Sequence, residues 1–220
     1  MIDTDLKLGV VLPTRGVVLA GGDDPDAGLI VRMARLAEDA GVDSVWVGDS
    51  LVAKPRLEPL AALAAVAAST KRVRMGTSVL LAALRHPVLL AQTAATVDQL
   101  SEGRLTLAMG VGGAFTDAQQ NEWATAGVEK RTRATRVEEM VEIMRGLWSG
   151  EPVTFHGKHF DLDEVTIGYR SHQRPGVPVL LATHSGEGRS RQPARAAKLS
   201  DGIISISDNP EEFAAVRNEV

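Results

Sequence analysis

The feature that most constrains the fold of this chain is a regular alternation of short apolar runs and helical segments. The apolar runs are nearly continuous in hydrophobic residues, which is typical of parallel strands that are covered on both faces. Six such runs are predicted as strands: Leu6–Leu12, Ser44–Gly48, Val73–Leu81, Leu105–Val111, Val177–Thr183 and Gly202–Ile206. Alternating strands and helices leave two main fold classes, a doubly wound sheet and an eight-stranded barrel.

The segments between these runs carry start and stop signals of helices. In residues 23–41, DDPDAGLIVRMARLAEDAG, Asp24 is predicted as the N-cap, with Pro25 in the first turn and Gly41 beyond the end. One segment, EPVTFHGKHFDL at residues 151–162, breaks the alternation because it predicts two short strands around a tight turn. We therefore expect a β-hairpin inserted before the fifth parallel strand.

The length of the chain limits how much of a barrel it can form. The chain has 220 residues, whereas a complete eight-stranded barrel usually needs about 250. After the sixth run the sequence continues only with the helix start NPEEFAAVRNEV. If the fold is the barrel rather than the doubly wound sheet, we predict a single domain, residues 1–220, with a TIM-type (β/α)8 barrel that is truncated after its sixth strand. The first and sixth strands would then each have an unpaired edge. Either the chain forms a homo-oligomer such as a dimer, or it is a fragment whose remaining strands lie outside this sequence.

Charge and composition exclude several classes of protein. There are 24 basic and 28 acidic residues, a net charge of −4, which disfavours a nucleic-acid or anionic-membrane surface. Cysteine is absent, so disulfides and thiolate metal sites are excluded, and no set of His, Asp and Glu has metal-ligand spacing. No apolar run has the length of a membrane span, and the first residues lack signal-peptide features. We expect a soluble, cytoplasmic protein without a metal.

Glycines follow the fourth apolar run, in the segment GRLTLAMGVGGAF at residues 103–115. The nucleotide fingerprint G-x-G-x-x-G is not met, because Phe115 stands where its third glycine belongs. From these residues alone, two interpretations stay open: a backbone that approaches a phosphate, or a tight exit from a buried strand.

Polar residues follow other predicted strands. Asp49 and Ser50 end the second run, and Asp49 could accept a proton, hold a substrate hydroxyl, or only cap a loop. His86 precedes Pro87 and is predicted to cap a helix, whereas His156 and His159 lie on the hairpin and are predicted at the surface.

The order and spacing of several motifs resemble those of the bacterial-luciferase-like monooxygenases. Residues 73–113, from VRMGTSVLL to LTLAMGVGG, are similar to the third strand, third helix and fourth strand of that family. DSVWVGDS resembles its second strand, and PVLLATHSGEG with AAKLSDGI resembles its fifth and sixth. The family consists of barrels that bind FMN or coenzyme F420. The resemblance thus implies a flavin- or deazaflavin-dependent oxidoreductase that acts on a small molecule.

The resemblance also assigns roles to residues at the predicted strand ends. It places a non-proline cis peptide behind the cofactor ring at Ser78–Val79 and brings the cofactor close to the backbone after the fourth strand. A loop after the fifth strand suits a phosphate. The implied cofactor-binding residues are Ser78, Val79, Gly110, Val111, Gly112, His184, Ser185 and Gly186. Several family members have an acid–base histidine at about the position of Asp49 and Ser50, where this chain has no histidine. Asp49 and Ser50 are therefore the catalytic candidates.

The identity of the cofactor decides between two kinds of chemistry. Val111 stands where luciferase itself has an arginine that pairs with the FMN phosphate, and the glycine-rich strand end resembles deazaflavin-dependent relatives. Hydride transfer with coenzyme F420 is slightly favoured. The alternatives are an FMN-dependent monooxygenase that uses O2 and a separate flavin reductase, and a non-catalytic truncated barrel that binds flavin or nothing.

Overall fold

Six parallel strands form one curled sheet, with helices packed between successive strands and over the outer face of the sheet. The computed structural model describes residues 6–184, 191–207 and 209–220. The elements in chain order are β1 (Gly9–Val11), α1 (Thr14–Gly21), α2 (Gly28–Asp39), β2 (Ser44–Val47), α3 (Pro59–Ser69), β3 (Arg74–Thr77), α4 (Pro87–Leu100), β4 (Leu105–Met109), α5 (Asp117–Thr125), α6 (Arg133–Trp148), β5 (Val153–His156), β6 (Asp161–Val165), β7 (Val179–Ala182), α7 (Arg191–Leu199), β8 (Gly202–Ile204) and α8 (Pro210–Asn218).

The strand order of the sheet is β1-β2-β3-β4-β7-β8, and all five pairings are parallel. Every predicted apolar run contains one of these strands, and the predicted barrel-type α/β fold with six strands is confirmed. β5 and β6 form the separate antiparallel hairpin that the sequence predicted before the fifth parallel strand. Glu139 on α6 fastens this hairpin, because its carboxylate accepts the backbone N–H groups of residues 158–160.

The two faces of the sheet carry different side chains. Outward-facing residues such as Val45, Val47 and Leu107 are fully buried and pack against the helices in one continuous apolar core. On the inner face Trp46 lies between two glycines of neighbouring strands. A Cβ on Gly9 would stand 2.7 Å from Trp46 Nε1, and one on Gly76 would overlap the indole ring. The inner face therefore has space for this ring only because both neighbours lack a side chain.

Two predicted boundaries and one helix differ from the structure. α2 begins at Gly28 rather than next to Asp24, because Asp26 pairs with Arg32 and the helix has no side-chain cap. The helix α1 was not predicted, since eight residues with a glycine in the first turn give little periodicity. The third run ends as a strand at Thr77; the chain then turns, and Leu80 forms an isolated bridge with Met109.

Two strands of the sheet have only one neighbour in the part of the chain that is described. β1 pairs with β2 and β8 pairs with β7, so each has a row of backbone groups without a ladder partner there. Apolar side chains near both edges are exposed, Val11 by 65% and Ile206 by 85%. Unpaired edges beside apolar surface favour association with another chain.

We therefore expect the 220-residue protein to self-associate, as light scattering on dilute samples would show. Hydrogen exchange should be fast in β1 and β8 of any residual monomer and slow in β3, which has a neighbour on each side. A monodisperse monomer with strong protection of β1 and β8 would contradict this expectation.

Candidate functional site

The candidate residues that the structure describes all lie at one edge of the sheet. Asp49 and Ser50 follow β2, Ser78 and Val79 follow β3, and His184 follows β7. Gly110, Val111 and Gly112 follow β4 in the same way. Because neighbouring parallel strands end on the same side, these residues converge at the carboxyl edge, where barrel active sites lie. The remaining two candidates, Ser185 and Gly186, lie outside the described residues.

Asp49 is buried in an ion pair with Arg85. Its side chain is 1% exposed and accepts hydrogen bonds from Arg85 Nη1 at 2.6 Å, Arg85 Nη2 at 3.1 Å and the Leu81 N–H at 2.9 Å. Arg85 Nη2 also bonds to Glu58 at 3.1 Å. Burial lowers the pKa of Arg85, but the hydrogen bonds and charges of the two carboxylates outweigh burial and raise the pKa overall. Asp49 thus ties the end of β2 to the segment after β3.

The contacts of Asp49 bear on the roles that the sequence left open for it: proton acceptor, partner of a substrate hydroxyl, or cap of a loop. Asp49 already accepts three hydrogen bonds, two of them from a guanidinium, so both of its carboxylate oxygens are bonded to structural partners. The contacts favour a structural, positioning role. Acid–base catalysis by Asp49 stays a prediction, which turnover of an Asp49→Asn variant would test.

Ser50 is bonded to a residue that the sequence interpretation missed. The Ser50 hydroxyl donates to Glu122 Oε1 at 2.5 Å and accepts the Lys54 N–H at 2.9 Å. Glu122, on α5, is 3% exposed and also accepts the N–H groups of Val52 and Ala53. Desolvation raises the pKa of Glu122, but these hydrogen bonds outweigh it and lower the pKa below its usual range. Its only sequence signal was an acidic residue next to a tryptophan.

Val79 and Gly110 form a close contact between the ends of β3 and β4. The Ser78–Val79 peptide bond is cis, so the cis assignment implied by the resemblance is confirmed. A Cβ on Gly110 would stand 2.7 Å from Val79 Cγ2 and 3.6 Å from the Ala182 Cβ. The space that this glycine leaves open is therefore filled by the valine side chain.

The reason for a glycine at position 112 differs from the one expected. Gly112 has a φ of 73°, and a Cβ there would stand 2.7 Å from the ring of Trp123 and 3.2 Å from Leu81. Its carbonyl accepts a hydrogen bond from Arg133 Nε at 3.1 Å. The side on which a Cβ would lie is filled by Trp123, so the absence of a side chain at Gly112 is already explained by packing and by its positive φ. Val111 is half-buried against the core, and contact of either backbone with a cofactor stays a prediction.

The histidines have mainly structural contacts. His86 caps α4 through Nδ1, which accepts the Val88 N–H, as predicted. His156 is exposed and paired with Asp161, whereas His159 is half-buried and its Nε2 lies 2.7 Å from the Thr135 hydroxyl. The His184 N–H donates to Gln192 at 3.0 Å, and its Nδ1 lies 3.4 Å from the Ser205 hydroxyl.

Small residues line the inner face near the carboxyl edge. Strand alternation places Gly48, Ala108, Gly110 and Ala182 on this face, whereas Trp46 fills the level below. The Cβ positions of Gly48 and Gly110 are taken by Arg56 and Val79, so these glycines let the two side chains lie over the strand ends. Within the described ranges, no group of three or more His, Cys, Asp and Glu residues could hold a metal ion, and no helix is long and apolar enough to cross a membrane.

The Asp49–Arg85 pair should contribute measurably to stability. We expect Asp49→Asn to lower the free energy of unfolding by about 2 kcal/mol, because it removes charge-assisted hydrogen bonds inside the protein while Arg85 keeps only Glu58. Urea unfolding would measure the change, with Asp163→Asn on the exposed side of the hairpin as the control. Equal free energies for both variants would contradict a structural role.

The lowered pKa of Glu122 makes a prediction about acid stability. A carboxyl whose folded-state pKa lies below its unfolded value of about 4.5 stabilises the protein above that value. This stabilisation is lost as the pH falls through the lower, folded pKa. Glu122→Gln should therefore reduce stability at neutral pH and flatten its decline below about pH 4.5. The exposed Glu211→Gln variant should retain the wild-type pH profile of thermal unfolding.

Comparisons with known proteins agree with this arrangement. The sequence model of the luciferase-like monooxygenase family matches residues 6–220. A curated relative, the F420-dependent glucose-6-phosphate dehydrogenase of Kineococcus radiotolerans, is 37% identical in an alignment 219 positions long, which covers 94% of this chain and 59% of the relative. The enzyme of the same name from Beutenbergia cavernae is 37% identical in an alignment 188 positions long, which covers 81% of this chain and 52% of that protein.

Solved structures share the fold. The monooxygenase RslO1 from Streptomyces bottropensis superposes with a TM-score of 0.80 at 28% identity, covering 97% of this chain and 65% of that one. The chain thus spans between about half and two thirds of the length of the proteins that it matches. A family match over nearly all of its residues, together with these relatives, shows that the chain belongs to the luciferase-like monooxygenase family.

Proposed function

We propose that the protein is an oxidoreductase that binds coenzyme F420 and catalyses hydride transfer between the coenzyme and a small organic substrate. The observation that carries the proposal is the 37% identity, over 94% of this chain, to a relative named as an F420-dependent dehydrogenase. The family model matches residues 6–220, which include the carboxyl edge described above.

The residues of the chain would divide the work as follows. When bound, the deazaflavin ring of coenzyme F420 accepts or donates a hydride and does not activate O2. Val79 and the backbone at Gly110 would support one face of the ring. Asp49 and Glu122, which hold the segments after β3 and β2, would keep the walls of the site in position.

A second candidate function has its own observation. The 28% identity to a structure named as a monooxygenase favours oxygenation of a small substrate. FMN as the cofactor, with a separate reductase that supplies reduced flavin, is what the family resemblance adds to this alternative. The affinities of the protein for coenzyme F420 and for FMN can be measured separately and compared, because the fluorescence of each cofactor changes when it moves from water into a protein site.

The first experiment is titration of the purified protein with coenzyme F420 and with FMN. We expect tighter binding of coenzyme F420, followed by loss of its visible absorbance when a suitable substrate is added; glucose 6-phosphate is the first to try, from the names of the relatives. Tighter binding of FMN would favour the monooxygenase. Binding of neither would overturn both functions and favour a non-catalytic barrel.

Location and partners belong to the same proposal. We infer a cytoplasmic enzyme that acts as a homodimer on a small molecule, with no nucleic-acid or membrane partner. The exposed edges of β1 and β8 support the dimer, and the small excess of acidic over basic residues agrees with the absence of a nucleic-acid partner.

A glycine substitution tests the place of the cofactor. Gly110→Ala should push Val79 toward the site and weaken cofactor binding roughly tenfold, about 1.4 kcal/mol. Gly146→Ala is a matched control, because its Cβ would stand 2.9 Å from a Val153 methyl group on the far side of α6. Both variants should lose some stability, but only the first should lose affinity. Equal losses of affinity would remove Val79 from the site.

A further inference from the structure

Arg56 brings a positive charge into the carboxyl edge of the sheet. It lies in the loop between β2 and α3, and its guanidinium folds back over the end of β2. A Cβ on Gly48 would overlap Arg56 Nη1, and the same position lies 3.6 Å from the Ser78 carbonyl oxygen. The guanidinium therefore stands between the ends of β2 and β3, beside the residues assigned to the cofactor.

The guanidinium is held in place at one end only. Arg56 Nε donates to the Lys54 carbonyl at 3.2 Å, and the residue is half-buried. Desolvation lowers the pKa of Arg56 and is the largest influence on it. The charges of Asp49 and Glu122 raise this pKa and the charge of Arg15 lowers it, but the pKa is lowered overall. An arginine remains fully charged at neutral pH despite such a shift.

The neighbouring carboxylates are already bonded to other groups. Asp49 accepts from Arg85 and Leu81, and Glu122 accepts from Ser50 and two backbone N–H groups. Across the described part of the chain, the two Nη groups of Arg56 make no hydrogen bond. A residue that served only as a counter-charge would direct its Nη groups at these carboxylates, and Arg56 does not.

We propose that Arg56 binds an anionic oxygen group, a phosphate or a carboxylate, of a ligand at the carboxyl edge. The two Nη groups form a planar fork that matches two oxygens of such a group. The group could belong to the substrate or to coenzyme F420, and in that respect the inference rests on the proposed function. Gly48 is part of the proposed anion site, because only the absence of its side chain lets the Arg56 guanidinium lie over the end of β2.

Two variants test the assignment in different ways. Arg56→Gln removes the charge, whereas Gly48→Ala keeps the charge and displaces the flexible end of the arginine. Lys54→Gln is the matched control, since it removes one positive charge from the same loop and its side chain is exposed. Inorganic phosphate is the probe, titrated by calorimetry into each protein with and without saturating coenzyme F420.

We expect Arg56→Gln and Gly48→Ala to weaken phosphate binding roughly tenfold or more, and Lys54→Gln to change it less than about twofold. If the affinity for coenzyme F420 is unchanged in Arg56→Gln and phosphate binds the loaded protein, the anion belongs to the substrate. If affinity for the coenzyme falls in parallel, the anion belongs to the coenzyme. Either outcome supports an anion site at Arg56.

The inference is overturned if phosphate and coenzyme F420 bind wild type and Arg56→Gln equally well, or if Lys54→Gln weakens phosphate binding as much as Arg56→Gln. Wild-type protein that binds phosphate through Arg56 but binds no coenzyme F420 would refute the proposed function and leave the anion site standing. Circular dichroism of each variant separates loss of binding from loss of the fold.

Discussion

Close packing around Trp46 is the constraint on which the rest of the site depends. The inner face of the curled sheet accommodates this ring only because Gly9 and Gly76, on the strands to either side, have no side chain. Nearer the carboxyl edge, Gly48 and Gly110 have no side chain either, and Arg56 and Val79 lie where their Cβ atoms would be. The residues of the candidate site therefore lie next to a level of the sheet that the indole ring already fills.

Two buried carboxylates then fix the shape of that edge. Asp49 holds the segment after β3, and Glu122 holds the loop after β2. Burying a carboxylate is costly unless hydrogen bonds replace its water, and each of these accepts at least three. Because both are saturated, the nearby charge of Arg56 is left available to a ligand, which links the stability of the loop to its binding chemistry.

Much of the fold could be predicted from local patterns. The six apolar runs and the hairpin were identified because burial on both faces, or turn chemistry, acts over a few consecutive residues. His86 was assigned as a cap for the same reason. The start of α2 was predicted wrongly, since Asp26 forms an ion pair with Arg32 in place of a cap. Asp24 and Asp26 are both acidic residues close to the helix start, and the sequence alone does not say which of them caps it. Confinement of the chain to a single domain stays a prediction.

The sequence by itself indicated the six strands, the helices between them and the hairpin, because these follow from periodicity and turn signals along the chain. The barrel and the edge at which the candidate residues meet were implied by the resemblance of its motifs to a known family. Only the tertiary structure decided what those residues do. Glu122, 72 positions from Ser50, and Arg85, 36 positions from Asp49, form bonds that no local pattern records. Trp123, 11 positions beyond Gly112, fills the side on which a Cβ of this glycine would lie. The physical reason is that packing and charge pairing depend on distance in space, and residues remote in sequence become neighbours only after the sheet has curled.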